Sequence, residues 1–197
     1  MPPKKSTGQV QQWDIFELAL EGPDTENPFT DINLTGEFTC NGRTIVQEGF
    51  YDGNGIYKIR VMPDIQGNWT YRIFSSSALM DGITGSFTCI KPSGINHGPV
   101  RVRDTYHFAY EDGTPFYPFG TTCYAWTHQG NELEEQTLTA LSVSPFNKIR
   151  MCVFPKHYEY NNNEPELFPF EGSAERGWDF KRFNPEFFRH LELRLRN

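Results

Sequence analysis

Three things are scarce in this sequence, and each scarcity removes a class of function. Positive charge is outnumbered, with 18 Lys plus Arg against 25 Asp plus Glu and a formal net charge of -7. No basic stripe interrupts that acidic background, so nucleic acid is not an expected partner. Long apolar runs are missing as well. The chain opens Met1-Pro2-Pro3-Lys4-Lys5-Ser6 with no apolar signal core, and nowhere holds the roughly 20 apolar residues that span a bilayer. A cytoplasmic protein with no membrane partner is the expectation. Close-set cysteines are also absent: Cys40, Cys89, Cys123 and Cys152 lie too far apart for the C-x-x-C spacing of zinc sites or redox exchange. Neither a metal nor a cofactor is expected. Buried reduced thiols are the simpler reading of the four, although Phe-Thr-Cys at both 38–40 and 87–89 leaves a Cys40–Cys89 disulfide open.

Aromatic residues, by contrast, are plentiful. Seventeen Phe, nine Tyr and four Trp make up 15% of the chain. Aromatic faces stack on the C–H faces of sugar rings, and they also fill large β cores.

From about residue 10 to 90 the apolar pattern has period two, in short runs separated by turn residues. Segments 13–20, 32–39, 43–50, 56–62, 69–75 and 86–90 read as strands. Asn41-Gly42, Asp52-Gly53-Asn54-Gly55, Gln66-Gly67-Asn68 and Asp81-Gly82 supply the turns between them. Strands at this spacing predict an antiparallel sandwich over residues 8–92. The run Lys91-Pro92-Ser93-Gly94-Ile95-Asn96-His97-Gly98-Pro99 breaks the pattern, and residues 93–104 read as a linker.

Residues 105–197 follow a different rhythm. A short hairpin around Asp112-Gly113 delivers Phe116–Cys123 as a strand, and a helix of about three turns then carries Leu133, Leu138 and Leu141. Asn147–Pro155 reads as a second strand, 156 to about 183 as a loop, and Asn184-Pro185-Glu186 as the capped start of a last helix. Strand, helix, strand, helix is the parallel β/α pattern, which needs a sheet covered on both faces or closed on itself. Two units do neither. A closed eight-unit barrel takes about 250 residues, so the chain is expected to be a fragment of a longer protein.

Particular residues point further. Trp13, Phe16-Glu17, Asn27-Pro28-Phe29, Gly49-Phe50-Tyr51-Asp52-Gly53, Tyr57-Lys58-Ile59-Arg60 and Met62-Pro63 followed by Gly67-Asn68-Trp69-Thr70-Tyr71 span the first module. Through them it resembles the N-terminal immunoglobulin-like sandwich of a group of bacterial glycoside hydrolases. Pro118-Phe119-Gly120-Thr121-Thr122, Phe146-Asn147-Lys148-Ile149-Arg150 and Phe183-Asn184-Pro185-Glu186-Phe187-Phe188 are similar to the opening of the apiosidase-like and cellulase-like TIM (β/α)8 barrel that follows such a module. Many relatives carry Asp where Thr121 stands, which leaves the sugar specificity open.

The resemblance implies glycosidase activity on an oligo- or polysaccharide. It implies a retaining mechanism with two glutamates at the ends of the fourth and seventh barrel strands, neither of which this chain contains. Glu164, Glu166, Glu171 and Glu175 fall in a polar loop and read as solvated acids. Barrel sites form from loops leaving the carboxyl ends of strands. That rule places Tyr124, Trp126, His128 and Gln129 past the first strand as substrate-binding candidates, with Lys156, His157 and Tyr158 past the second. Trp126 is equally readable as a core residue under the first loop. Arg150 interrupts an apolar strand, where an inward guanidinium must meet carboxylates or bound groups. In similar barrels an arginine here supports the nucleophile. A noncatalytic carbohydrate-binding or scaffolding protein is the rival reading, because fold does not fix function.

Overall fold

The computed structural model of the protein describes residues 8–156, 159 and 164–197. They form two compact units, one ending at Phe116 and the other starting at Tyr117.

The core of the first unit is built on two sheets. Strands β1 (Gln9–Gln11), β3 (Leu34–Cys40), β4 (Arg43–Glu48), β7 (Gly67–Ser75) and β8 (Thr84–Ile90) make a five-stranded sheet in the order β1-β8-β7-β3-β4. Strands β2 (Phe16–Glu21), β5 (Phe50–Tyr51) and β6 (Ile56–Val61) make a three-stranded sheet in the order β2-β6-β5. All neighbours are antiparallel except β1 and β8, which run parallel. Each main strand alternates buried and open positions, as in β2, where Phe16, Leu18 and Leu20 are buried and Glu17, Ala19 and Glu21 exposed.

One core joins the two sheets. Phe16 of the smaller sheet stacks on Phe87 of the larger at 3.9 Å between centroids, and Phe87 in turn lies parallel to the fully buried Trp69 at 6.1 Å. Such pairs add about 0.5–1.5 kcal/mol each beyond the area they bury. The indole N–H of Trp69 donates to the Ile65 carbonyl at 3.0 Å, so its burial leaves no polar atom stranded. The aromatic wealth of this half of the sequence thus goes largely into packing.

The expected strand 43–50 is two strands belonging to different sheets. β4 pairs with β3, β5 pairs with β6, and Gly49 is the corner between them. Its N–H donates to the Leu34 carbonyl at 2.8 Å. A Cβ at Gly49 would lie 2.5 Å from Leu34 Cδ2 and 2.8 Å from Ile59 Cγ1, so the chain passes where only glycine fits.

Cys40 and Cys89 are free and buried. β7 runs between their strands, with Gly67 opposite Cys89. Two strand spacings amount to about 10 Å, beyond the roughly 7 Å between Cα atoms that a disulfide tolerates. Burial pushes the Cys89 thiol up to about 11.

Residues 93–104, expected as a linker, include β9 (Val100–Arg103). It pairs antiparallel with β10 (His107–Tyr110), which also pairs with β11 (Pro115–Phe116). His97 Nδ1 sits 2.7 Å from Asp112 Oδ2 within this unit. The Thr114 N–H and His97 hold Asp112 down to about 2.

In the second unit β12 (Gly120–Thr122) and β13 (Lys148–Arg150) run parallel, with helix α1 (Asn131–Ser142) between them in sequence. The expected loop from 156 to 183 contains an antiparallel hairpin, β14 (Phe170–Ser173) and β15 (Gly177–Phe183). Helix α2 (Pro185–Arg196) begins as its sequence predicts: the Asn184 side chain accepts from the Glu186 N–H, with Pro185 in the first turn. Among the described residues no helix is long and apolar enough to cross a membrane.

Replacing Gly49 by Ala should cost about 1–3 kcal/mol, the usual range for overpacking a tight core. Urea unfolding of G49A against wild type measures it. In the double variant with Leu34→Ala the two losses should sum to less than their separate values, because removing the leucine frees the space the new methyl needs.

Candidate functional site

The parallel pairing of β12 and β13 sets Thr122 opposite Arg150 and continues past both strands. The Cys123 N–H donates to the Arg150 carbonyl at 2.9 Å, and the Cys152 N–H donates to the Tyr124 carbonyl at 2.8 Å. This extended ladder holds Tyr124 beside Arg150, whose guanidinium carbon lies 5.2 Å from the tyrosine ring centroid. Both residues are exposed. A cation over an aromatic face at such a site contributes about 0.5–1 kcal/mol. The sequence reading has Arg150 turned inward; among the described residues it lies at the surface, at the carboxyl end of its strand.

After Tyr124 the chain makes a 3-10 turn, Trp126–His128, and all three of its residues are buried. The Trp126 indole N–H donates to Met151 Sδ at 3.3 Å. His128 Nε2 lies 3.3 Å from the Cys152 carbonyl, and its ring stacks on Phe187 of α2 at 5.9 Å and 13°. A carbonyl only accepts, so Nε2 carries the hydrogen of that contact. Burial pushes the His128 imidazole below its ordinary value of 6.5, outweighing the Cys152 carbonyl and Glu134, which favour the charged form. Gln129 is half-buried and donates to the Ala125 carbonyl at 3.2 Å. Lys156 is exposed. His157 and Tyr158 lie outside the described residues.

Beside this turn lies a charge cluster that the sequence reading does not pick out. Glu134 is the buried residue of α1, only 1% exposed. Its Oε2 accepts from Arg194 Nε at 2.6 Å and sits 2.9 Å from His190 Nε2, both residues being on α2. Arg194, itself buried, also bonds Glu135 through Nη1 and Asn131 Oδ1 through Nη2, the latter at 2.7 Å. An unpaired carboxylate at this depth would cost several kcal/mol. The only hint in the sequence is the spacing of His190 and Arg194, one turn apart on a helix whose Phe187, Leu191 and Arg194 share its buried face.

Turn and cluster together enclose a cavity of about 210 Å³, whose polar lining is Thr127, His128, Asn131, Glu134, Glu166 and His190. Thr127 is 4% exposed, and among the described residues its Oγ1 has no hydrogen-bond partner. Of the sequence candidates, the structure brings Trp126 and His128 into the packing under the turn, and leaves Tyr124, Arg150 and Lys156 at the surface.

His128 gives this unit a pH dependence whose sign follows from its depressed value. The unfolded chain takes up the proton near pH 6.5, while the folded ring, facing Glu134 and His190, takes it up only at lower pH. Stability is therefore present at neutral pH and lost as pH falls below about 6.5. Melting the chain between about pH 7.5 and 5.5 should show this loss. His128→Gln, which keeps a donor for the Cys152 carbonyl, should flatten it. An unchanged slope in the variant would place the titrating group elsewhere.

Residues 9–76, about a third of the chain, match the family described as Domain of unknown function (DUF5060). No curated protein matches. A solved structure from Bacteroides vulgatus ATCC 8482, named "a putative glycoside hydrolase", is 44% identical with a TM-score of 0.91, and the match covers 97% of this chain. It covers 39% of that protein, so the chain spans well under half of its relative's length. The ZIG-8 IG1 homodimer is similar over 47% of this chain and 84% of its own, at 8% identity and a TM-score of 0.31, which is too low to bear on the fold. Over nearly its whole length the chain is thus similar to a part of that larger protein.

Proposed function

We propose that the chain is the N-terminal part of a glycoside hydrolase that cleaves O-glycosidic bonds in an oligo- or polysaccharide. The observation that carries this reading is the likeness at 44% identity, over 97% of the chain, to a protein given that provisional assignment. In this reading residues 8–92 are an immunoglobulin-like module and 93–104 lead out of it. Residues 105–197 open a (β/α)8 barrel, with β12-α1 and β13-α2 as its first two units. The parallel neighbours β12 and β13, with a helix between them in sequence, support that assignment.

The chemistry proposed is retaining hydrolysis by two glutamates beyond Asn197. One carboxylic acid protonates the leaving oxygen as the other carboxylate attacks the anomeric carbon, forming a glycosyl-enzyme. The first residue, now a base, then activates the water that releases the sugar. Arg150 has the role of keeping the nucleophile ionised, since a nearby cation favours the carboxylate. Its support is position: it ends β13 on the side where barrel sites form, beside Tyr124 just past β12. Tyr124, Gln129 and Lys156 are the residues left open enough to meet a sugar, and His157 and Tyr158, next in sequence and outside the described residues, are proposed for the same role. Trp126 and His128 act from beneath, holding the turn that presents Tyr124.

Arg150→Ala in the intact protein should lower kcat by roughly 10²–10³-fold, the effect of losing one preorganised electrostatic group. Removing the cation raises the nucleophile's pKa, so the acid limb of the pH–rate profile should move to higher pH. Arg150→Lys should recover part of both, since it keeps the charge and loses the planar fork. The 197-residue chain alone should give background rates on aryl glycosides and polysaccharides. A folded Arg150→Ala enzyme with wild-type kcat and an unmoved acid limb would remove Arg150 from the catalytic machinery.

A further inference from the structure

We propose that the cavity between the 3-10 turn, α1 and α2 is a binding site for one neutral, hydroxyl-rich ring, the chemistry of a single sugar residue. The first support is Thr127, a buried hydroxyl on the cavity wall with no hydrogen-bond partner among the described residues. Leaving such a group unpaired costs roughly 1–3 kcal/mol, and a ligand hydroxyl in the cavity would relieve it. The second is the start of α1, where the N-cap is Gly130, which has no side chain to cap the first-turn amides. Gly130 and Asn131 line the same cavity, and amides at a helix start seek an acceptor.

The lining also selects against charge. Glu134 is already held by Arg194 and His190, so the deep wall carries no unbalanced carboxylate. An anion would meet the Glu166 carboxylate at the rim, and a cation would find Glu134 at the base already held by Arg194 and His190. Glu166 offers an acceptor at the rim, the Thr127 hydroxyl both donates and accepts on the wall, and the amides at the start of α1 donate. A hydroxyl both donates and accepts, so a ligand bearing several can satisfy this mixed set, whereas an ion satisfies half of it. Pro165, Leu167 and Phe187 provide the apolar contact that C–H faces need. The volume of about 210 Å³ is below the roughly 300–1,000 Å³ of pockets for drug-sized ligands and far above the about 10–15 Å³ that one water needs, which fits a single ring.

The choice of a sugar among hydroxylated molecules rests on the glycosidase reading; the hydroxyl chemistry does not. The test is binding without turnover, so it stands or falls apart from catalysis. Saturation-transfer NMR and calorimetry on the 197-residue chain would use free glucose, galactose, xylose, arabinose and rhamnose, with glucuronate and glucosamine as charged counterparts. Saturable binding of at least one neutral sugar is expected, with its charged counterparts weaker by about tenfold, since each charge strands a polar group in the site. Thr127→Val keeps the shape and removes the hydroxyl, so it should weaken binding about tenfold while raising Tm, because the unpaired buried group is gone from the free protein. Glu166→Gln at the exposed rim should weaken binding a few-fold with Tm unchanged. Absence of saturable binding by every neutral sugar would overturn the proposal. So would preferential binding of glucuronate or glucosamine, or a Thr127→Val variant with raised Tm and unaltered binding.

Discussion

A carboxylate at the depth of Glu134 has to be paired, and the way it is paired organises the second unit. Both partners come from one face of α2, so the ion pair fixes the rotation of that helix about its own axis as well as its distance from α1. With that rotation set, Phe187 faces His128, and the buried stripe Phe187, Leu191 and Arg194 follows. Buried ion pairs are poor net stabilisers compared with apolar residues of equal volume, but removing one partner is expensive. Glu134 and Arg194 are best understood as specifying one arrangement of two helices, and the cavity as the space that arrangement leaves.

The first unit depends on shape more than charge. Its sheets are joined by rings that overlap face to face, and the main ion pairs there, such as Lys58 with Asp52 and Arg60 with Glu17, decorate the outside of the smaller sheet. Both pairs are only partly exposed, and they link segments of the smaller sheet rather than one sheet to the other. Apolar burial and aromatic overlap supply the cohesion, which is why the alternation of side chains along the strands carries so much of the information.

That alternation makes β2, β3, β6, β7 and β8 readable from the sequence. β1 escaped notice because three residues with one apolar side chain, Val10, leave no period to detect, and its pairing with β8 is remote in sequence. The change of sheet at Gly49 was invisible for the opposite reason: the apolar rhythm continues across it although the partners change. The hairpin β14–β15 hid in a stretch whose charges and glycines read as loop. α2 announced its own start through Asn184 and Pro185. The charged cluster could not be read, since Glu134 and Arg194 are 60 residues apart and each looks like an ordinary helix-surface charge until the two helices meet. Arg150 was legible as a charge in an apolar strand, but its exposure and its tyrosine partner were not. A strand's edge position depends on what else is in the sheet.

The shared strand at Gly49 has a consequence for how the first unit can go wrong. A one-residue slip of a strand normally exchanges inner and outer faces in a single sheet. Here the same slip would be felt in both sheets at once, since β4 and β5 are consecutive lengths of one chain. It would also carry Glu48 or Phe50 into the corner where Leu34 and Ile59 leave no room for a Cβ. Misregistered pairings therefore have no partially satisfied version in which one sheet is right and the other wrong. The glycine acts as a check on alignment, and the two sheets are obliged to reach their register together.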